Sequence, residues 1–265
     1  MKKVISKDGT PIVYDRAGSG PTIILVDGAG GNRAFGPNVT LAPLLAQHFT
    51  VITYDRRGRG DSGDNSPYDI SREIEDIDAL IHAADGSAYL YGISSGGALA
   101  LEAANRLSTV KKLALYEVPF IVDDSRPPVP MNYLAKLTEL VASDRRGAAI
   151  KLFMRTGVGL PAIVVAMMQI MPGWSRMKSI AHTLISDTTF MVELQRGEPL
   201  PTERWSAVTM PTLIIDGGKS QLWVRNAMKS LANVLPNAKY RTLEGQTHIV
   251  KPGALAPVLT DFFGA

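Results

Sequence analysis

Cysteine is absent from the 265 residues, which excludes a disulfide framework, thiolate metal ligands and a cysteine nucleophile. A nucleophile, if there is one, must be oxygen or nitrogen. Histidine is scarce, with four residues at 48, 82, 182 and 248 and no HExxH-like spacing, so neither a metal site nor a cofactor is expected. Strong charge is missing too. The net charge is +3, and the one basic cluster, Arg56-Arg57-Gly58-Arg59, has no flanking aromatic or basic stripe to track a phosphate backbone, so no nucleic-acid partner is expected. The opening "MKKVISKDGTPIVYDRAGSG" turns polar after two apolar residues, and the expectation is a cytoplasmic chain with neither signal peptide nor membrane anchor.

What is present is ordinary globular material, 45% hydrophobic and 20% charged, enough for one large core with an inserted subdomain. Short apolar, β-branched runs recur, each closed by glycine, proline or aspartate. They are "KKVIS", "PIVYD", "TIILVDG", "TVITYD", "AYLYG", "KKLALYE", "TLIIDGG" and "KYRTLEG". From the third onward, most are separated by helix-length segments, the alternation of a mostly parallel sheet covered on both faces; the first two are close enough for an antiparallel hairpin. The class predicted is α/β with eight strands.

One covering helix is legible in detail: Ile70, Ile74, Ile77, Ile81 and Ala84 fall on one face at helical spacing, with Asp69 as a simple N-cap. Glu73, Glu75, Asp76 and Asp78 read as its solvated side. The alternation breaks between about Val122 and Met210, where "DDSRPPVP" opens a stretch that reads as helices. Seven of the ten methionines lie between those two residues, a pattern that fits ordinary helix packing or the lining of an adaptable apolar pocket.

Gly92-Ile93-Ser94-Ser95-Gly96 satisfies G-x-S-x-G at the junction of "AYLY" with an Ala/Leu-rich helical segment. A serine on a sharp strand-to-helix turn needs small residues two before and two after it, where side chains would strike the neighbouring strand and helix. Centring on Ser95 would put Ile93 at a position that must be small. Ser94 is therefore the candidate nucleophile.

With "IILVDGAGGN", "VITYDRRGRGDSGD", "LYGISSGG", "PTLIIDGG" and "LEGQTHIV" in this order, the chain resembles the α/β-hydrolase superfamily over nearly its whole length outside 122–210. The resemblance implies an α/β-hydrolase core from 1–121 and 211–265, with residues 122–210 as a helical cap inserted after the sixth strand to set substrate choice. It implies His248 as general base, since His48, His82 and His182 sit where structural roles are expected. It also implies an oxyanion hole from the main-chain N–H groups of Ser95 and Ala29. The stretch departs from the family's usual "HG" by carrying Asp27, which brings a carboxylate close to an anion-stabilising site.

The acid of the triad is the larger departure. The family's usual aspartate position after the seventh strand falls on Ser220, and a neutral hydroxyl cannot offset the imidazolium that develops on the base. Two carboxylates remain: Glu117, at a position that resembles the one used by some haloalkane dehalogenases, and Asp216 at the end of the seventh strand. Glu117 is preferred and Asp216 is the alternative. In "YDRRGRGDSGD" the glycines with Asp61-Ser62 read as shaping a loop, and Arg56, Arg57 and Arg59 as possible contacts for an anionic tail.

The function expected from the resemblance is hydrolysis of a small to medium carboxylic ester or lactone with an apolar portion, through an acyl-enzyme and without cofactor. The same residues suit carbon–carbon bond hydrolysis, acyl transfer or perhydrolysis, and a slow-turnover ligand-binding protein is the alternative outside catalysis. No oligomeric state is legible.

Overall fold

The computed structural model describes all residues from Met1 to Ala265. All eight expected strands form: β1 (Lys2–Ile5), β2 (Pro11–Ala17), β3 (Thr22–Val26), β4 (Thr50–Tyr54), β5 (Ala88–Ile93), β6 (Val110–Tyr116), β7 (Thr212–Gly217) and β8 (Ala238–Leu243). They make one sheet in the order β1-β2-β4-β3-β5-β6-β7-β8. The expected β1–β2 hairpin is antiparallel, β2 also pairs antiparallel with β4, and the other ladders are parallel.

Strand composition follows position in the sheet. "TIILV" of β3 is buried at all five residues because helices cover both faces there, whereas edge strand β1 is almost entirely exposed. The covering helices are α1 (Asn38–Leu45), α2 (Ile70–His82), α3 (Ser95–Arg106), α9 (Leu222–Val234) and α10 (Pro252–Gly264). Side chains of α2, α3 and α9, such as Ile77, Leu99 and Leu231, pack with one face of the sheet. The other face carries α1 and α10 through Leu41, Leu45, Leu259 and Phe263. Burying each such side chain contributes about 1.5–3 kcal/mol, so these two layers hold the frame on which every strand end is positioned. No helix is long and apolar enough to cross a membrane.

Helix α2 starts where its sequence predicts, with Asp69 accepting a hydrogen bond from Ser71 N at 2.8 Å. Its acidic side departs from expectation. Glu73 and Asp76 are buried rather than solvated, because arginines from the loop after β4 reach them: Arg56 binds Glu73 through two nitrogens at 2.7 and 2.8 Å, and Arg57 binds Asp76 at 2.8 and 2.7 Å. Two-point ion pairs of this kind satisfy both planar groups and make burial tolerable.

Between β6 and β7 there is no strand. The segment folds into α4 (Tyr133–Ala142), α5 (Arg146–Leu152), α6 (Ala162–Met168), α7 (Trp174–Ser179) and α8 (Leu184–Thr189), with short π and 3₁₀ turns between and after them. Its last part is not separate from the sheet: Met191, Leu200, Trp205 and Val208 join the main core, and Trp205 stacks on Phe120 at 5.7 Å and donates to Glu102 of α3. The methionines divide accordingly. Met191 is buried, Met154 and Met177 pack at the margin of an apolar cluster between the helices, and Met167 and Met171 face solvent.

Candidate active site

Ser94 lies in the turn between β5 and α3 with φ 56° and ψ −131°, a conformation costly for a residue with a side chain. The chain can turn this sharply because glycines stand two residues before and two residues after Ser94. A Cβ on Gly92 would lie 2.5 Å from Gly96 O, and one on Gly96 would lie 2.4 Å from Val26 O. The turn is tied to the sheet by Ser94 N donating to Tyr116 O at 2.9 Å. Ser94 is partly exposed and Ser95 is buried at the start of α3, where first-turn N–H groups have no intrahelical acceptor.

The loop after β3 passes directly over this turn. A Cβ on Gly28 would lie 3.0 Å from Ser94 Cβ and 3.6 Å from Ser94 Oγ. The next residue, Ala29, is partly exposed and its N–H finds no backbone acceptor. Ser94, Ser95 and Ala29 are thus brought together by the ends of β3 and β5.

At the end of β6, Glu117 also adopts a positive φ, 47°, and is fully buried. Its Oε2 lies 2.8 Å from Nδ1 of His248, which sits half-exposed in the loop after β8. Its Oε1 accepts from Gly217 N at 2.8 Å and from the hydroxyl of Ser220. The histidine loop is held in turn by Tyr116 Oη, which donates to Thr247 O at 2.7 Å. The side chain of Ser220, at the position where the family pattern calls for an aspartate, therefore donates to Glu117.

Asp216 is equally buried but points to other partners. Its Oδ2 accepts from Tyr240 Oη and from Arg225 Nε at 3.3 Å, and the structure does not bring it to His248. The remaining histidines also lie elsewhere. His82 Nδ1 is 2.8 Å from Asp78 O at the end of α2, His182 Nε2 is 3.0 Å from Gly58 O, and His48 follows α1 at the surface.

Asp27 is 2% exposed, its Oδ1 has no hydrogen-bond partner, and burial pushes its carboxyl up to about 7 against the opposing charge of Arg59. Loss of solvation outweighs the lowering effects of Arg59, Asn38 and Arg56. Neighbouring Arg56 and Arg59 do not face an anionic tail; both are buried and bound to Asp187 of α8, an aspartate that sequence reading did not single out. Burial would raise the Asp187 carboxyl, but the charges of Arg56 and Arg59 outweigh it and hold the group below the usual carboxylate range. An aspartate inside a helical segment looks like any solvated residue until the fold brings two arginines to it. No group of three or more His, Asp or Glu side chains is arranged to hold a metal ion.

The arrangement has counterparts. A sequence model of the alpha/beta hydrolase family matches residues 23–258. The chain belongs to the alpha/beta hydrolase family. The crystal structure of an alpha/beta hydrolase from Sphaerobacter thermophilus DSM 20745 superimposes with a TM-score of 0.92 at 50% identity, covering 99% of this chain and 100% of that one. Among curated relatives, the uncharacterized hydrolase YraK of Bacillus subtilis is 36% identical over 104 residues, 36% of this chain and 35% of its own length. The 2-hydroxy-6-oxo-6-(2'-aminophenyl)hexa-2,4-dienoic acid hydrolase of Metapseudomonas resinovorans is 31% identical over 105 residues, 38% of this chain and 36% of its own length. The matched stretch spans about a third of the length of these two curated relatives.

Proposed function

We propose that the protein is a serine hydrolase that cleaves a small to medium carboxylic ester or lactone through an acyl-enzyme. The observation that carries this reading is the pairing of His248 with the buried Glu117 at 2.8 Å, one residue beyond the Tyr116 carbonyl that anchors the strained Ser94 turn. Ser94 Oγ attacks the substrate carbonyl while His248 Nε2 takes its proton, and the imidazolium so formed is stabilised by Glu117. The only side chain hydrogen-bonded to His248 is Glu117, and the mechanism requires the Ser94 hydroxyl to reach Nε2 in the substrate complex.

The tetrahedral oxyanion is held by the N–H groups of Ala29 and Ser95. His248 then returns its proton to the departing alcohol, leaving Ser94 acylated. Water enters, gives its proton to His248, attacks the acyl carbon and releases the acid as Ser94 regains its hydrogen. For a lactone, the alcohol and the acid leave as one molecule.

Residues 122–210, apart from the tail that packs into the sheet, act as the cap in this reading. Ala29 packs at the margin of an apolar cluster that includes Leu137, Ile150, Phe153 and Leu184, which supports a substrate with an apolar portion. The working protein needs neither cofactor nor metal, acts on a small molecule in the cytoplasm, and has no nucleic-acid or membrane partner.

A fluorophosphonate probe tests the reading, with modification of Ser94 in the wild type and none in Ser94→Ala as the expected result. A folded wild type that takes no label would mean a binding protein instead. A panel of p-nitrophenyl esters and lactones then defines the acyl length. The relative from Metapseudomonas resinovorans, a hydrolase of a dienoic acid by its name, favours carbon–carbon bond hydrolysis as the second reading. Turnover of a vinylogous 1,5-diketone with no ester turnover would select it.

A further inference from the structure

Asp187 of α8 is fully buried and belongs to the helical segment between β6 and β7, yet all its side-chain hydrogen bonds cross to the sheet domain. Oδ1 accepts from Arg56 Nη1 at 2.7 Å and from Ser95 Oγ at 2.8 Å, and Oδ2 accepts from Arg59 Nη2 at 2.6 Å. The same two guanidinium groups hold carbonyls of the loop after β3. Arg59 Nη1 donates to Gly28 O at 2.7 Å and to Gly31 O at 3.2 Å, and Arg56 Nη1 donates to Asp27 O at 3.2 Å.

The bond to Gly28 O matters most, because that carbonyl and the Ala29 N–H belong to one peptide unit. A trans peptide is planar with its C=O and N–H pointing in opposite directions, so holding the oxygen fixes where the N–H points. A charged donor on the oxygen also polarises the unit and strengthens its N–H as a donor. Asp187 therefore reaches one arm of the oxyanion hole through Arg59 and touches the other directly at the Ser95 hydroxyl.

We propose that Asp187 is a positioning residue that aligns both oxyanion-hole donors, so that docking of the helical segment onto the sheet completes the catalytic site. Asp187 touches no reacting atom. The inference rests on the serine-hydrolase reading above. It makes the segment from α4 to α8 more than a determinant of substrate choice: without its carboxylate, Arg59 loses the one carboxylate that aims it, while Arg56 is still held by Glu73.

The test is Asp187→Asn, with folding checked by circular dichroism and thermal melting, assayed on a p-nitrophenyl ester that the wild type turns over. The expected result is a fall in kcat of about 10- to 100-fold with KM within about threefold, since the interaction is used in the transition state. Binding of a trifluoromethyl ketone, which forms the tetrahedral oxyanion on Ser94, weakens in parallel with kcat.

A folded variant with kcat within about twofold of wild type overturns the proposal, as does a loss carried by KM alone with ketone affinity kept. If Asp187→Asn fails to fold, Arg59→Lys decides, because an ammonium keeps the charge but cannot bridge Asp187 and the Gly28 carbonyl in one plane. A drop in kcat of about tenfold with KM kept is then expected, and unchanged kcat overturns the proposal. A wild type that takes no fluorophosphonate label overturns the hydrolase reading and this one together; a labelled, active wild type with unaffected variants overturns only this one.

Discussion

The ends of β6 and β7 each carry a fully buried carboxylate on neighbouring strands, Glu117 and Asp216, and their surroundings give them different work. Glu117 is held by Gly217 N and the Ser220 hydroxyl on one oxygen and offers the other to His248 at 2.8 Å. Asp216 shares one oxygen between Tyr240 and Arg225, while its other oxygen has no partner. Both are fully buried carboxylates. What differs is the strand that lies alongside: Glu117 leaves β6 with a positive φ and turns toward the loop after β8, whereas Asp216 stays in register opposite Thr242 and meets side chains of β8 and α9. A carboxylate at a strand end becomes an acid partner by where the backbone aims it.

The comparison depends on Ser94 being the nucleophile, and this gives the largest expected effect. Ser94→Ala lowers kcat/KM on the best ester by about 10⁴-fold or more, measured with background hydrolysis subtracted. Glu117→Gln follows, with kcat reduced about 10²- to 10⁴-fold because a neutral amide cannot stabilise the imidazolium, while Asp216→Asn stays within about threefold of wild type. Reversal of that order breaks the assignment of the two strand ends.

Asp27 extends the contrast to a third buried carboxylate, at the end of β3, and its test is one of stability. Its carboxyl titrates near 7 in the folded chain and near the ordinary aspartate value of about 4 when unfolded. Between those values the folded state keeps a proton that the unfolded chain has released, so stability falls as pH rises from about 4 to about 7. Asp27→Asn removes that loss. Urea unfolding should find the variant more stable than wild type by a few kcal/mol at pH 8, with the gap closing toward pH 4.

The smallest effect sharpens the role of the serine that stands where an aspartate is expected. Ser220→Ala takes away one donor to Glu117 and leaves Gly217 N in place, and kcat/KM should drop about three- to tenfold with KM unchanged. An unaltered rate in this variant means that the hydroxyl contributes only to packing.

Much of this architecture was legible in one dimension because continuous apolar, β-branched runs and glycine-bounded turns are local properties. The eight strands and α2 with its Asp69 cap follow from them. Ser94 and the need for small residues at 92 and 96 were legible for the same reason, since the strain of that turn is set within five residues. The two candidate acids both end an apolar strand with a carboxylate, and Glu117 could be preferred over Asp216 only through the family resemblance. The acidic side of α2 was misread as solvated because Glu73 and Asp76 find their cations 17 and 19 residues away, in a loop whose path α2 does not encode. Asp187 left no local sign at all, its partners lying 92 to 131 residues away.

By itself, then, the sequence determined the α/β alternation, the interruption after β6 and the register of the serine turn, because steric limits and hydrophobic period act between near neighbours. Only the tertiary structure decided that Glu117 rather than Asp216 meets His248, that Asp27 is buried with an unmet oxygen, and that Asp187 sits between two arginines and Ser95. The reason is the same in all three cases: the charge state and partner of a carboxylate depend on the solvent it loses and the donors it meets, and both are supplied by residues distant in the chain.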